Sequence, residues 1–428
     1  MHILVITRSP WRDENNIGNT MSNIFGDMTE HEIYGMCFRS GFFNNSVLKK
    51  CYNISEMQFI SGFKNKFQVG EIVQATENRQ LDDVETKVYN NAKRFKWRIL
   101  WFVREFIWTL MPWKNESLKE YLEQIKPDVV FMPVFDCWYP FKVLSFVHEY
   151  TKAKVVLFHA DDNYSMKQYS FSPLYWIFRI NTRKWIKKCV GLSSLNFAIT
   201  EAQKNEYEKY FKKSFKVLYK GKEFSEKPVV NSGNSVKKIL FTGNISSGRY
   251  KSLAFIGEAL DKINKNKKVA ELDIYTFTPL TKEMKRNLCK YESINLHGGV
   301  TLKEVENLQS KADILVHVES FDMKSKLSVR LSFSTKIVDY LYQAKCILAI
   351  GPDGVASIDY LIRNDAAFVI TDMNHIEESL TRLVSSPQLI EEYSEKAWLC
   401  GKRNHDINKN IKMINEEFEK IINENTSN

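Results

Sequence analysis

Residues 332–352 read SFSTKIVDYLYQAKCILAIGP, a pattern that predicts a helix start followed by a buried strand. Ser334 and Thr335 are residue types favoured at helix N-caps, so the helix is expected to begin beside them. A helix N-terminus offers backbone N–H groups and a partial positive charge to an anion, and Lys336 adds a full charge. Asp339, one turn later, can accept hydrogen bonds from sugar or ribose hydroxyls. The stretch therefore predicts an anion site next to a hydroxyl-binding carboxylate.

Length and composition set the frame around this stretch. A chain of 428 residues with 44% apolar residues is expected to fold into two globular domains. The net charge of +10 favours an anionic partner, which on charge alone is a nucleic acid, an anionic lipid or a phosphorylated substrate. The seven cysteines are scattered and never form a C-x-x-C pair, which is typical of reduced cytosolic thiols.

The chain shows no pattern for export or for crossing a membrane. Residues 2–7 form a short apolar strand pattern, without the charged segment or the cleavage site of a signal peptide. Uninterrupted apolar runs stay below the length of about 18 residues that a transmembrane helix needs. We therefore expect a cytoplasmic protein whose contact with a membrane, if it makes one, is peripheral at the inner face.

Short apolar runs alternate with longer amphipathic segments, which is typical of parallel sheets with crossover helices. The first half has predicted strands at 2–7, 31–37, 128–134, 154–159 and 195–200. The second half has them at 238–242, 271–277, 293–297, 313–318, 346–350 and 367–370. This predicts an α/β protein of two doubly wound, Rossmann-like domains that face a cleft. The expected segments are an N-terminal acceptor-side domain, a polar linker, a C-terminal nucleotide-sugar-binding domain and a last helix that crosses back, at 1–222, 223–237, 238–401 and 402–428.

The second domain has three loops that follow predicted strands and suit a bound nucleoside diphosphate. Gly243 and Gly248 allow close approach of the backbone, and Arg249 with Lys251 can clamp a diphosphate. Gly299, in a third loop, suits a flat base packed against the backbone. Each loop alone also fits an ordinary strand-to-helix turn. Their convergence with Lys336 at one sheet edge favours a diphosphate site.

The first domain has candidate residues at the ends of two strands. His159 follows a buried strand, and we expect it to hydrogen-bond a sugar hydroxyl or to stabilise the leaving phosphate. Asp161 or Asp162 can orient that histidine or the acceptor hydroxyl. The alternative is a histidine satisfied within the core. Gly18 is predicted to lie in a glycine loop before the first helix, near the same cleft.

Residues 93–114 predict a helix with aromatic and basic side chains. At 100° per residue, we expect Phe95, Ile99, Phe102 and Phe106 to pack inward. Opposite them lie Trp97, Trp101 and Trp108, flanked by Arg94, Arg98 and Arg104. This outward face suits an anionic membrane surface, and the alternative is a helix buried on both sides. A second basic aromatic segment at 175–188 favours the membrane.

We expect no bound metal and no cofactor other than a nucleotide sugar used as co-substrate. The chain contains no Asp-x-Asp triplet, the metal-binding motif of the other major sugar-transferase fold, and no His/Cys cluster that replaces it.

These motifs resemble the GT-B glycosyltransferases, in particular the family 4 enzymes of bacterial surface-polysaccharide synthesis. The resemblance covers residues 237–370 most strongly and 126–225 more weakly. It implies a metal-independent transfer from a nucleotide sugar with retention of anomeric configuration. It also implies that residues of the C-terminal domain bind the diphosphate, the base and the ribose of the donor. These residues are Arg249, Lys251, Gly299, Ser334, Thr335, Lys336 and Asp339.

The chain departs from the family pattern around its paired acids. Leu331 stands where the first of two glutamates is expected, and Asp339 replaces the second. A basic insertion, 323–330, follows Glu319, a candidate sugar contact.

The sequence thus predicts a glycosyltransferase that moves a sugar, for example from a UDP-sugar, to a lipid-linked or polymeric glycan. Two alternatives stay open. One is a nucleotide-sugar 2-epimerase of the same architecture, and the other is a non-enzymatic module that binds anions or membranes. We expect no nucleic acid partner.

Overall fold

The computed structural model of the chain describes residues 1–13, 16–39, 41, 43–62, 69–73, 98–228 and 234–424. Contacts divide it into two compact units. Unit 1 comprises Met1–Met166, Ser170–Lys220 and Asn408–Asn428, and unit 2 comprises Lys167–Tyr169 and Gly221–Ile407. Part of the predicted linker, residues 229–233, lies outside the described residues.

Unit 1 contains an eight-stranded sheet in the order β4-β3-β2-β1-β5-β6-β7-β8. Its strands are β1 (His2–Thr7), β2 (Glu32–Cys37), β3 (Leu48–Asn53), β4 (Glu71–Val73), β5 (Val129–Pro133), β6 (Lys154–His159), β7 (Leu195–Ala198) and β8 (Lys216–Val217). All neighbours pair in parallel except β3 and β4, which are antiparallel. Its helices are α1 (Asn16–Phe25), α2 (Glu56–Gly62), α3 (Ile99–Leu110), α4 (Glu116–Ile125), α5 (Tyr139–Thr151), α6 (Pro173–Leu192) and α7 (Glu201–Phe211).

Unit 2 contains a six-stranded, wholly parallel sheet in the order β11-β10-β9-β12-β13-β14. Its strands are β9 (Lys237–Thr242), β10 (Ala270–Tyr275), β11 (Ile294–His297), β12 (Ile314–Val318), β13 (Cys346–Ile350) and β14 (Phe368–Ile370). Its helices are α8 (Arg249–Ile263), α9 (Lys282–Leu288), α10 (Leu302–Lys311), α11 (Met323–Val329), α12 (Lys336–Tyr342), α13 (Ala356–Arg363), α14 (Ile376–Val384) and α15 (Pro387–Asn404). A last helix, α16 (Ile407–Asn423), belongs to unit 1 from Asn408 onward.

The sequence explains why these sheets are parallel and covered. Strands β12 and β13 read ILVHV and CILAI, and every residue of both is buried, as expected for a sheet with helices on its two faces. Helix α8 packs into the core of unit 2 through the fully buried side chains of Leu253, Ile256 and Leu260. Each such side chain stabilises the fold by about 1.5–3 kcal/mol. The predicted α/β class with two parallel-dominated sheets is confirmed.

Strand order fixes where a ligand can bind in unit 2. The chain leaves β9 toward β10 and β11, then returns to place β12 on the other side of β9. In open α/β sheets, ligands bind beyond the carboxyl ends of the strands at the point where the order reverses. In this unit that point lies between the ends of β9 and β12.

The predicted orientation of the aromatic helix is wrong. Ile99 and Phe106, expected to face inward, are 55% and 63% exposed, whereas Trp108, expected to face outward, is 1% exposed. Trp108 is held inside because its indole N–H donates to Glu56 Oε1 at 2.9 Å and its ring stacks on Tyr139 at 4.4 Å. The segment 93–97, with Arg94, Phe95 and Trp97, lies outside the described residues. Among those described, no helix combines the length and apolar character needed to cross a bilayer.

Candidate nucleotide-sugar site

The switch point of unit 2 carries an ion pair that joins the end of β12 to the start of α8. Arg249 is the first residue of α8, and its Nε and Nη2 donate to the two carboxylate oxygens of Glu319, each at 3.1 Å. Glu319 directly follows β12 and has a side chain only 5% exposed. Its backbone N–H donates to Ile350 O at 2.8 Å, and its carbonyl accepts from Ser252 Oγ at 2.8 Å. A bidentate pair anchored in this way holds the guanidinium in one orientation.

The turn before α8 needs glycine for two reasons. Gly248 has φ 78°, in the left-handed region that L side chains rarely adopt. A Cβ at this position would also collide with Ser320 Oγ and lie 2.5 Å from Asp322 Oδ2. This turn places Arg249 at the sheet edge, because the helix begins immediately after it.

Lys336 reaches the same edge from α12. Its ammonium donates to Thr242 O at 3.0 Å, at the end of β9, and lies 4.5 Å from the centroid of the Phe241 ring. Burial and the nearby Arg249 guanidinium lower the pKa of Lys336 to about 8. A Cβ on Gly243 would lie 2.6 Å from Lys336 Nζ, so this glycine keeps the space beside the ammonium clear. Two cations that lie 87 positions apart in the sequence thus reach the neighbouring carboxyl ends of β9 and β12.

His317 is a member of this cluster that the sequence analysis missed. It lies on β12, two residues before Glu319, with its Nε2 3.2 Å from Ser357 Oγ and 3.8 Å from Glu319 Oε1. Burial, Lys336 and Arg249 lower its pKa to about 3, so the imidazole is neutral at physiological pH. The signal that could have found it is its position, since a histidine within an otherwise apolar strand near the carboxyl end faces the site or the core.

The start of α12 differs from the predicted helix cap. Thr335 occupies the N-cap position but has helical angles, φ −59° and ψ −21°, and its side chain makes no capping hydrogen bond. The backbone provides the first turn instead, with Ile337 N donating to Ser334 O at 3.0 Å. The capping role predicted for the Thr335 side chain is therefore wrong. The predicted backbone contact of Ser334 and Thr335 with phosphate stays a prediction.

Asp339 lies in the first turns of α12, half-buried, with Oδ1 3.4 Å from Lys222 Nζ. Lys222 also lies 4.8 Å from the centroid of the Tyr342 ring, one turn further along the same helix. Leu331, the residue in place of the expected glutamate, is 3% exposed and belongs to the buried apolar set. The acid that pairs with Arg249 is Glu319, from a different part of the chain.

Gly299 lies under an aromatic ring that the sequence analysis did not single out. Phe277, two residues after β10, is 78% exposed, and a Cβ on Gly299 would collide with its ring. In the strands below, the rings of Tyr275 and His297 stack with centroids 4.3 Å apart. An exposed ring over a glycine offers an apolar surface on which a planar base can stack. Lys251, by contrast, is exposed on α8, with Nζ 5.8 Å from the Tyr250 ring.

In unit 1 the structure contradicts the predicted role of His159. Its side chain has no exposed surface and packs against the rings of Tyr207, Phe211 and Phe215. Burial lowers its pKa to about 3, so it is a neutral core residue. An imidazole with no accessible atom cannot contact a sugar or a phosphate. The structure supports the alternative of a histidine within the core, but both ring nitrogens of His159 are buried without a hydrogen-bond partner among the described residues, so the side chain is not satisfied there.

The two aspartates after β6 have different environments. Asp162 is buried and accepts from Ser165 N at 2.8 Å and Tyr207 OH at 3.2 Å, which makes it an anchor for its own loop. Asp161 is exposed, and its carbonyl accepts from Gln203 Nε2 at 2.9 Å. Of these two aspartates, Asp161 is the one whose side chain is exposed to solvent.

The predicted glycine loop at Gly18 is also wrong. Gly18 lies inside α1, and a Cβ there would collide with the backbone carbonyl of Arg12. Its small size is needed for packing of the helix against the preceding segment, so no ligand contact is required to explain it.

Among the described residues, no group of three or more His, Cys, Asp or Glu side chains is placed to hold a metal ion. The expectation that the protein works without a metal stays a prediction.

Comparison with solved structures identifies the fold. Sucrose-phosphate synthase from Thermosynechococcus elongatus superposes with a TM-score of 0.64 at 11% identity, over 98% of each chain. HepE from Anabaena, in complex with UDP and glucose, gives a TM-score of 0.62 at 10% identity, over 98% of this chain and 99% of HepE. TarM gives 0.52 at 13% identity over 70% of this chain, which spans 57% of TarM. The chain therefore has the GT-B glycosyltransferase fold, as its motifs predicted.

At the level of sequence, neither a family model nor a curated protein matches the chain.

Proposed function

We propose that the protein is a glycosyltransferase that binds a nucleoside diphosphate sugar at the carboxyl ends of β9 and β12 in unit 2. We call this place the β9/β12 edge. The observation that supports this most directly is that Arg249 and Lys336, the latter beside Gly243, both lie at the strand-order reversal of a parallel sheet. A diphosphate is the anion that two fixed cations and an open glycine turn suit. Backbone groups at Ser334 and Thr335 and the exposed Lys251 would add to the phosphate site.

The remaining donor contacts follow from the same edge. Phe277 and Gly299 would hold the base, and Asp339 would accept from the ribose hydroxyls after exchanging its contact with Lys222. Neighbours of this fold support a uridine nucleotide, since HepE has been solved with UDP-glucose.

The proposed reaction breaks the bond between the sugar anomeric carbon and the diphosphate oxygen. The electron pair of that bond goes to the diphosphate, whose growing negative charge Arg249 and Lys336 stabilise in place. The acceptor hydroxyl forms the new glycosidic bond and gives up its proton to the departing diphosphate oxygen. Retention of anomeric configuration and independence of metal are proposed by resemblance to the family 4 enzymes.

The proposed acceptor is a lipid-linked or polymeric glycan of cell-surface polysaccharide synthesis. The protein would then work in the cytoplasm, at the inner face of the membrane where such acceptors are assembled.

Incubation with UDP-, GDP- and ADP-sugars, with and without glycan acceptors, tests the proposed reaction. We expect donors of one nucleotide to yield the nucleoside diphosphate together with an extended glycan. Mass spectrometry detects both products. Formation of an epimer without acceptor would show that the reaction is a 2-epimerisation at the same site. Failure of every donor to react would contradict the enzymatic proposal.

The pH dependence of donor capture reports on Lys336. Its pKa of about 8 is that of the free protein, so kcat/KM for the donor should fall as pH rises from about 7 to about 9. A bound diphosphate raises the pKa of the ammonium, so kcat should hold to higher pH. In the Lys336→Arg variant the fall near pH 8 should disappear, because guanidinium stays charged. A wild-type kcat/KM profile that is flat across this range would contradict the role of Lys336.

A further inference from the structure

The outward face of α3 is a stripe of large apolar side chains. Phe106, Leu110, Ile99 and Val103 are 63%, 58%, 55% and 45% exposed. Their spacing of four, three and four residues places them within an arc of about 60° on a helix. Four such neighbours form a contiguous patch, unlike single apolar residues scattered over a surface. We call these four residues the α3 stripe.

The orientation of α3 is fixed by the opposite face, so the stripe is not exposed by loose packing. Trp108 is buried by its hydrogen bond to Glu56 and its stacking on Tyr139. Glu105, the one acidic residue of α3, is 2% exposed and accepts from Trp138 N at 3.0 Å. The acid of this helix therefore points inward while its apolar residues point outward.

A second apolar stripe lies on the neighbouring helix, α6. Leu174, Ile177 and Ile180 are 43%, 50% and 44% exposed. The two helices pack through aromatic rings, with Phe178 of α6 5.2 Å from both Trp101 and Phe102 of α3. The outward stripes therefore lie on adjacent helices of unit 1.

The charge of α6 indicates what covers these stripes. Its second half continues the outward face with Lys184, Lys187 and Lys188, which are exposed and which we call the lysine row. Between Pro173 and Leu192 the helix has no acidic residue, and its cations are Arg179, Arg183 and the lysine row. Lys188 Nζ lies 5.0 Å from the ring of Trp185, an indole that suits the boundary between water and hydrocarbon.

We infer that the α3 stripe, the α6 stripe and the lysine row together dock on an anionic lipid bilayer, with both helices lying in the plane of the interface. Apolar side chains enter the acyl boundary while the lysines contact lipid phosphates. A second copy of the chain is the weaker occupant, because a two-fold contact through this face would bring two lysine rows together. The inference concerns where the protein sits and does not depend on the proposed transfer reaction.

Co-sedimentation with vesicles, without any nucleotide sugar, tests this inference. We expect the protein to bind vesicles of equal parts phosphatidylcholine and phosphatidylglycerol, less so as salt rises, and not to bind phosphatidylcholine alone. Phe106→Ser with Leu110→Ser should weaken binding about tenfold or more, since both side chains leave the acyl boundary. Replacing the lysine row by alanine should weaken it about 100-fold, from about fivefold for each charge.

The control is Leu399→Ser, which removes a side chain that is 51% exposed on α15 in unit 2 and should leave vesicle binding unchanged. Because all the changed side chains are exposed, each variant should keep the thermal midpoint of the wild type. Absence of binding to the anionic vesicles, or equal binding by wild type and both variants, would overturn the inference. So would a stable dimer in light scattering that the Phe106→Ser, Leu110→Ser variant dissociates.

Discussion

Replacement of Arg249 by alanine should lower sugar transfer by about 100- to 1,000-fold, the usual cost of removing one preorganised donor at developing charge. The guanidinium is held by two hydrogen bonds to Glu319, so it needs no reorientation when the diphosphate leaves. Steady-state rates at saturating acceptor measure this loss. Arg249→Lys should recover only part of the rate, because an ammonium cannot reproduce the bidentate geometry.

The same change also affects folding, and a second variant separates the two effects. Alanine leaves the Glu319 carboxylate buried without its partner, which costs about 3 kcal/mol of the free energy of unfolding. Arg249→Ala combined with Glu319→Gln should restore most of the thermal midpoint without restoring activity. The exposed Arg382 provides the matched control, and Arg382→Ala should change neither property. Activity that returns together with stability in the double variant would show that Arg249 is structural.

Lys336→Met should lower the rate of sugar transfer about as much as Arg249→Ala does, without lowering the free energy of unfolding. Burial and Arg249 disfavour the charged form of Lys336 in the folded protein, as its lowered pKa of about 8 shows. Charged Lys336 therefore lowers the free energy of unfolding below pH 8. This destabilisation decreases as the pH rises from 8 toward 10.5, the ordinary pKa of a lysine. Methionine keeps most of the aliphatic stem and removes the charge.

Thermal unfolding of wild type and Lys336→Met at pH 7 and at about pH 9 checks the sign. We expect the variant to be at least as stable at pH 7 and its advantage to shrink at the higher pH. A functional residue that opposes stability is typical of binding sites. A variant that is destabilised yet active would refute the assignment of Lys336 to the diphosphate site.

Much of the fold followed from the sequence, because buried parallel strands have continuous apolar runs. Each predicted strand overlaps an observed one, including β9 and β12, whose carboxyl ends lead to the proposed site. Strands β3, β4 and β8 were missed. β3 reads LKKCYN, with exposed lysines, whereas β4 and β8 have three and two residues, too few for a periodic signal.

The sequence alone did not determine whether a side chain faces the core or the surface. His159 ends a strand as predicted, but its side chain turns to the core among three rings. Helix α3 is apolar on both faces, so periodicity could not choose the inward one. The choice is made by the contact of Trp108 with Glu56, 52 positions earlier in the chain.

Contacts between residues far apart in the chain could not be predicted from the sequence either. Glu319, a predicted sugar contact, is also the carboxylate that orients Arg249, 70 positions away in the chain. Phe277 could not be predicted as part of a base site, because a single phenylalanine after a strand is ordinary and only the fold brings Gly299 beneath its ring.

Calorimetric titration of the wild type and the Arg249→Ala, Glu319→Gln variant with UDP, GDP and ADP tests the nucleotide site most directly. We predict that one of the three nucleotides binds the wild type at one site per chain and that the folded variant binds it at least tenfold more weakly, a difference of about 1.4 kcal/mol. Binding of equal strength to both proteins, or binding of none of the three to the wild type, would contradict a diphosphate site at the β9/β12 edge.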